Sequence, residues 1–195
     1  MKVSVVLSAL LLISACASVE TSRPGVERYW PTPPDPPVIS FVRNFSKPDD
    51  LGKRGGFFRR VFKLIVGESE DPVMIRPVGV ALDQKGKIYV ADTGLQVVHI
   101  FDFSKRKYRQ LFWIEKGLSR LNAPVGVTLD KKGRIYVSDS RLNRIFVYDP
   151  KKLKLIRAIG AGQLQRVTGL AYDAERERIL AADTGAHTVL VFDLE

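Results

Sequence analysis

The chain of 195 residues holds one cysteine and two histidines. A lone thiol, Cys16, excludes any internal disulfide. His99 and His187 stand far apart and far from Cys16, so the clustered spacing of a zinc site is missing. No glycine-rich phosphate loop and no Gly-x-Ser-x-Gly nucleophile elbow occurs. The apolar run at 3–13 is too short to span a bilayer. Acidic residues are also in deficit: 21 Asp and Glu face 31 Lys and Arg, a formal net charge of +10. Such an excess favours anionic partners such as nucleic acid, lipid headgroups or acidic glycans. Its spread along the whole chain favours plain solubility.

What is present starts with an export signal. Lys2 precedes the apolar run, which ends Ile13-Ser14-Ala15-Cys16. Those four residues resemble a bacterial lipobox, in which the cysteine is lipidated and the signal is cut just before it. Residues 1–15 are therefore expected to be a signal peptide and Cys16 the lipidation site. The alternative is an ordinary secretory signal that leaves a free thiol. Ala17, rather than Asp, resembles an outer-membrane sorting signal, which implies a place in the cell envelope on the periplasmic side of the outer membrane. A lipid chain contributes roughly 0.8 kcal/mol per buried CH₂, so several chains form a firm membrane anchor. Residues 16–37 then read as a lipidated, proline-rich tether, since proline favours extended, semi-rigid chain.

Residues 38–75 are expected to hold an N-terminal strand and a helix. The strand is read at 38–45, Val-Ile-Ser-Phe-Val-Arg-Asn-Phe. Over 57–66, Phe57, Phe58, Val61, Phe62 and Ile65 recur at helical spacing with Arg59, Arg60 and Lys63 between them. Such a helix suits a lipid surface or a cap on the domain that follows. Its shortness favours the cap.

Residues 76–195 repeat one pattern three times. The first copy runs Arg-Pro-Val-Gly-Val-Ala-Leu-Asp (76–83), Gly-Lys-Ile-Tyr-Val-Ala-Asp (86–92), Val-Val-His-Ile-Phe-Asp (97–102). The second and third follow at 123–149 and 168–193, and Gly79, Gly126 and Gly169 recur at intervals of 47 and 43 residues. Several short strands at such a period indicate a β-propeller. Each glycine lets neighbouring backbone approach closely on a blade's first strand. Asp130-Lys-Lys-Gly133 is a tight turn. On the second strand Ile135 and Val137 share one face and Tyr136 takes the other. A fourth strand is expected at 107–114 and 152–159.

Asp92, Asp139 and Asp183 close the second strand of each copy, and each has a polar residue four positions on: Gln96, Asn143 and His187. Recurrence in register argues for structure. The aspartates are expected to bond local backbone and that fourth side chain. His187 is then a turn residue, and His99, inside a strand, a packed one.

These motifs, with the connector-like Gly-Ala-Gly-Gln-Leu-Gln-Arg at 160–166, resemble the NHL-repeat family of β-propellers. Val167 stands where Pro77 and Pro124 stand, and Glu175-Arg-Glu-Arg178 replaces a turn glycine. The resemblance implies an all-β fold of four-stranded blades within the six-bladed, TolB-like class. Here it is incomplete at about three blades, with a short N-terminal helix and the tether before it. Three blades do not close a ring, since propellers need about four to eight. The chain is therefore expected to be a truncated propeller, or to be completed by a second chain, as a homodimer or with a different partner. The function expected is a lipid-anchored binding or scaffold module for a protein or glycan, with no nucleic acid bound. The alternative is a metal-dependent lactonase-like hydrolase or lyase, with Asp92, Asp139 and Asp183 imitating a ligand ring. No catalytic residue and no cofactor is assigned, calcium being the one ion such a ring suggests.

Overall fold

The computed structural model describes residues 29–31, 34–36, 38–52, 73–115 and 119–194. Cys16, the signal peptide, much of the tether and the helix expected at 57–66 lie outside the described residues. The chain divides into two compact units, residues 1–44 and 45–195.

In the first unit β1 (Tyr29–Trp30) pairs antiparallel with β2 (Ile39–Ser40), Trp30 opposite Ile39. The Val38 N–H donates to the Trp30 carbonyl at 2.9 Å. The strand expected at 38–45 is therefore two residues long, and its partner lies in what reads from sequence as spacer. Val38, Ile39 and Val42 are all exposed. With these side chains exposed among the described residues, burial does not reward a longer ladder, and the β-branched run does not extend.

In the second unit a 3-10 helix, Pro48–Leu51, is closed by the Asp50 carboxylate, which accepts the N–H groups of Ser46 (2.7 Å) and Lys47 (3.0 Å). Leu51 packs with Val90 and Phe101, and Phe45 meets the Phe101 ring edge-on at 5.1 Å.

Three antiparallel sheets follow. The first blade comprises β3 (Pro77–Leu82), β4 (Lys87–Asp92), β5 (Val97–Asp102) and β6 (Lys107–Leu111), paired in that order. A small ladder of β7 (Trp113–Glu115) and β8 (Ser119–Arg120) leads on. The second blade comprises β9 (Pro124–Leu129), β10 (Ile135–Asp139), β11 (Arg144–Tyr148) and β12 (Leu155–Ile159). The third comprises β13 (Val167–Asp173), β14 (Arg178–Asp183) and β15 (Thr188–Asp193). The fold is thus all-β: among the described residues, two four-stranded propeller blades and a three-stranded one.

Both fourth strands are shorter than their apolar patterns suggest. Leu153, at φ 53°, lies in the turn before β12. Beyond β6 the chain leaves the blade and Trp113 pairs with Arg120 instead. In the third blade Glu177 adopts φ 50°, the left-handed conformation that Gly86 (76°) and Gly133 (77°) supply elsewhere. A side chain there is strained, and ion pairs of Glu177 with Lys131 and of Arg176 with Asp173 (3.3 Å) hold that turn.

Each blade is a two-faced layer. In β10, Ile135 and Val137 join Tyr89, Val98, Ile100 and Phe146 in the core between the first and second blades. Tyr136 points the other way, into the core with Ile145, Val147, Val167 and Ile179. Every residue of β10 is buried. The alternation read from sequence therefore marks two cores rather than a core and a solvent face.

The first strands of adjacent blades meet backbone to backbone. A Cβ on Gly79 would collide with the Val125 carbonyl, and one on Gly126 with the Thr168 carbonyl and with Ser138 Oγ (2.8 Å). Ser138 joins these strands: its Oγ accepts the Gly126 N–H (2.8 Å) and donates to the Thr168 carbonyl (2.5 Å). Around Gly169, by contrast, the nearest neighbour is Ala182 Cβ at 3.7 Å. Gly126→Ala should therefore cost about 1–3 kcal/mol through overpacking, while Gly169→Ala should cost under about 1 kcal/mol. Thermal melts of the two variants check this. Equal losses would mean that another strand presses on β13.

Candidate functional site

The turns of the blades fall at two ends. At one end, the turns joining second to third strands carry Asp92, Asp139 and Asp183, all fully buried or nearly so. Each carboxylate gathers backbone N–H groups from two places. Asp92 accepts from Gly94 (2.8 Å) and Leu95 (3.1 Å) in its own turn, and from Ile75 (2.7 Å) and Arg76 (3.0 Å) ahead of β3. Asp139 does the same with Arg141 and Leu142, and with Asn122 (2.7 Å) and Ala123 (3.1 Å). Asp183 takes Gly185, Ala186, Gln165 (2.7 Å) and Arg166 (2.8 Å). Burial alone would raise the Asp92 carboxyl. The N–H groups of Leu95, Arg76, Ile75 and Gly94 outweigh it and hold the group below its ordinary value. The same balance holds Asp183 low.

The expectation of a bond from each aspartate to the fourth-position side chain needs correction. Gln96, Asn143 and His187 instead carry positive φ, at 60°, 52° and 56°. Asn143 Oδ1 is buried and makes no hydrogen bond. What recurs at that position is the left-handed backbone of a turn exit, which Asn tolerates best. The donors ahead of each first strand have no residue-type signature, so only the repeated aspartate could have hinted at them.

The first blade adds one partner. His99, fully buried, has Nδ1 2.7 Å from Tyr108 Oη and Nε2 3.3 Å from Asp92 Oδ2. With Tyr108 donating to Nδ1, the imidazole is neutral and Nε2–H donates to Asp92. Burial pushes its pKa down, against the pull of the Asp92 bond and charge. The equivalent of His99 in the second blade is Phe146, each paired across from a valine.

At the other end, the turns joining first to second strands come together around a cleft of about 510 Å³. Its walls include Asp83, Lys85 and Lys87 of the first blade, Leu129, Lys131 and Lys132 of the second, and Tyr172 and Ala174 of the third. Lys151, from the turn before β12, joins them. Asp83 accepts the Lys85 and Lys87 N–H groups (2.8 and 2.9 Å) and faces Tyr89 Oη. Asp130 accepts from Arg134 and Tyr136 Oη (3.1 Å). Burial, with the adjacent aspartate, pushes Tyr89 and Tyr136 up to about 12, so both keep their protons. Tyr172 Oη is buried and makes no hydrogen bond. The lysines of this cleft are functional candidates that the motif reading passed over. Their signal was there, in Asp130-Lys-Lys-Gly133 and its counterparts. Among the described residues, no three His, Cys, Asp or Glu side chains converge at either end.

Residues 74–101 and 121–148 match the model of the NHL repeat. The third copy lies outside the match, consistent with its lost proline and turn glycine. No curated protein matches the chain. Among solved structures, the chain is similar to the hydrazine synthase of Kuenenia stuttgartiensis, with 18% identity and a TM-score of 0.51 over 64% of this chain and 36% of that one. It is also similar to a luciferin-regenerating enzyme (21%, TM-score 0.48, 61% and 41%) and to a nidogen/laminin complex (20%, 0.49, 64% and 48%). The chain thus spans less than half the length of each solved chain it resembles. At such identities the likeness is one of fold.

The His99 pair carries a pH signature. A histidine whose folded pKa is depressed stabilises the fold above its unfolded value, near 6.5, and that contribution is lost as pH falls through the folded value. His99→Phe removes it. The melting temperature of the parent should therefore fall more between pH 7.5 and pH 5 than that of His99→Phe. Parallel losses in both would show that His99 does not report this window.

Proposed function

Because the chain carries NHL repeats folded as propeller blades, we propose that it is a binding module held at the cell envelope by a lipid on Cys16, with a protein or glycan as ligand. A propeller of NHL repeats supports a binding or scaffold role. The observation that carries the reading is the cleft of about 510 Å³ whose walls come from the turns of all three blades. A site assembled from several repeats offers one ligand many independent contacts, and binding sites are typically concave composites of this size. The carboxylates of the opposite end do not favour the lactonase-like alternative. Asp92, Asp139 and Asp183 point their oxygens at four or more N–H groups each rather than at a shared centre.

The anchor is supported by Ile13-Ser14-Ala15-Cys16. In a Gram-negative host, Cys16→Ser should move the protein from the membrane to the soluble periplasmic fraction. A variant that fractionates with the parent removes Cys16 as the anchor.

The cleft is tested by filling it. Ala174 is an exposed turn residue in its wall, so Ala174→Trp should block entry without touching a core. Full chain in detergent, immobilised and exposed to envelope glycan and envelope protein fractions, should bind one of them saturably. Ala174→Trp should weaken that binding by roughly tenfold or more, the scale of one lost contact of about 1.4 kcal/mol. Saturable binding unchanged by Ala174→Trp would place the ligand elsewhere.

A further inference from the structure

Sorting the turns by end separates the lysines completely. Apart from Lys116, which lies outside the described residues, every lysine beyond residue 73 falls within 83–87, 102–107, 130–134 or 149–154. These are the turns from first to second and from third to fourth strands, which antiparallel pairing places at one end of the blades. The turns at 92–97, 139–144 and 183–188, at the opposite end, hold none. Five of the lysines line the cleft: Lys85, Lys87, Lys131, Lys132 and Lys151.

In the lysine-bearing turns the aspartates face inward, while Glu175 and Asp193 are exposed and Glu177 half-buried, and these three pair with Arg176, Arg178 and Lys131. Asp83 caps the N–H groups of Lys85 and Lys87, Asp102 that of Lys105, and Asp149 those of Lys151 and Lys152. The ammonium groups face outward. Among the described residues, Lys87 pairs with Asp83 (3.7 Å) and Lys131 with Glu177, and no other lysine of this end has an ion pair. Each lysine-bearing turn thus uses its carboxylate to hold its own backbone, and Lys85, Lys132 and Lys151 are exposed. The result is a positive rim over a concave site, the arrangement that gathers anions.

We infer that this end of the propeller binds an acidic polysaccharide, a chain carrying carboxylate or phosphate groups at intervals. The inference rests on the reading of the cleft as the binding site. Three observations favour this ligand over a flat anionic bilayer. The site is a cleft, which a polymer chain enters and a headgroup plane does not. Its lysines come from the turns of two blades, so they meet successive charges along an extended ligand and act together. Leu129 and Tyr172 in the wall are half-buried, giving apolar surface for the faces of sugar rings.

The experiment uses full chain in detergent and fluorescently labelled polygalacturonate. The comparison ligands are neutral dextran, phosphatidylglycerol vesicles and single-stranded RNA. Polygalacturonate should bind more tightly than all three, and its affinity should fall as salt is raised. The triple variant Lys85→Gln, Lys132→Gln, Lys151→Gln should lose roughly tenfold in affinity. The corresponding Lys→Arg triple, which keeps the charge, should retain binding. Arg141→Gln with Arg144→Gln, at the other end, should leave it unchanged. Equal binding of dextran, tighter binding of vesicles or RNA, or a glutamine triple that binds like the parent overturns the inference. If Ala174→Trp abolishes binding of an envelope fraction that the glutamine triple still binds, the cleft stands and the acidic polysaccharide falls. If neither change matters, both fall.

Discussion

Three buried carboxylates hold this chain in its shape. Asp92, Asp139 and Asp183 each stand at the end of a second strand and bond N–H groups of the turn that follows and of the segment that enters the same blade. An entering segment that must turn sharply onto a first strand exposes N–H groups with no ladder partner, and orphaned buried donors are costly. A charged acceptor meets several of them at once, and each such bond contributes about 1.5–3 kcal/mol net. A reverse bond completes the joint: Thr93, Ser140 and Thr184 donate backbone N–H groups to the carbonyls of Arg76, Ala123 and Arg166 at 3.0–3.1 Å. The direction from which the chain enters each blade follows from this joint.

Once the entry is set, the packing of blades follows. The first strands lie so close that Gly79 and Gly126 have no room for a side chain, and Ser138, bonded to Gly126 of its own blade, adds one hydrogen bond across the second junction, to the Thr168 carbonyl. Close approach at the inner strands brings the sheet faces together, and the second sheet fills a core on both sides. Where a neighbour does not cover a face, apolar residues are exposed: Val78, Val80 and Leu82 on β3, Val189 and Val191 on β15.

Much of this was legible in the sequence because it repeats. Three copies in register identified the strands, the alternation in Ile135-Tyr136-Val137, the crowded glycines and the aspartates. The polar residues at the fourth position misled. Gln96, Asn143 and His187 share a backbone conformation, and a shared conformation selects residue types much as a shared contact does. The strand at 38–45 failed for a different reason. Its β-branched residues have propensity, but Val38, Ile39 and Val42 are exposed. The positive end was legible in principle. The lysines look diffuse when counted along the chain and become one-sided when turns are sorted by the end at which they lie, although arginines occur at both ends.

The aspartate joint also bears on how the chain comes to be folded. Its bonds reach back 16 to 18 residues and forward two or three, so each closes within a single blade. Loops of that length close quickly and at small entropic cost. A blade can therefore acquire its entry, its first hairpin and its turn as soon as they leave the ribosome, before the next copy exists. The long-range step that remains is the docking of preformed sheets. Similar repeats risk pairing with the wrong strand, and a staple that closes locally keeps each strand with its own blade.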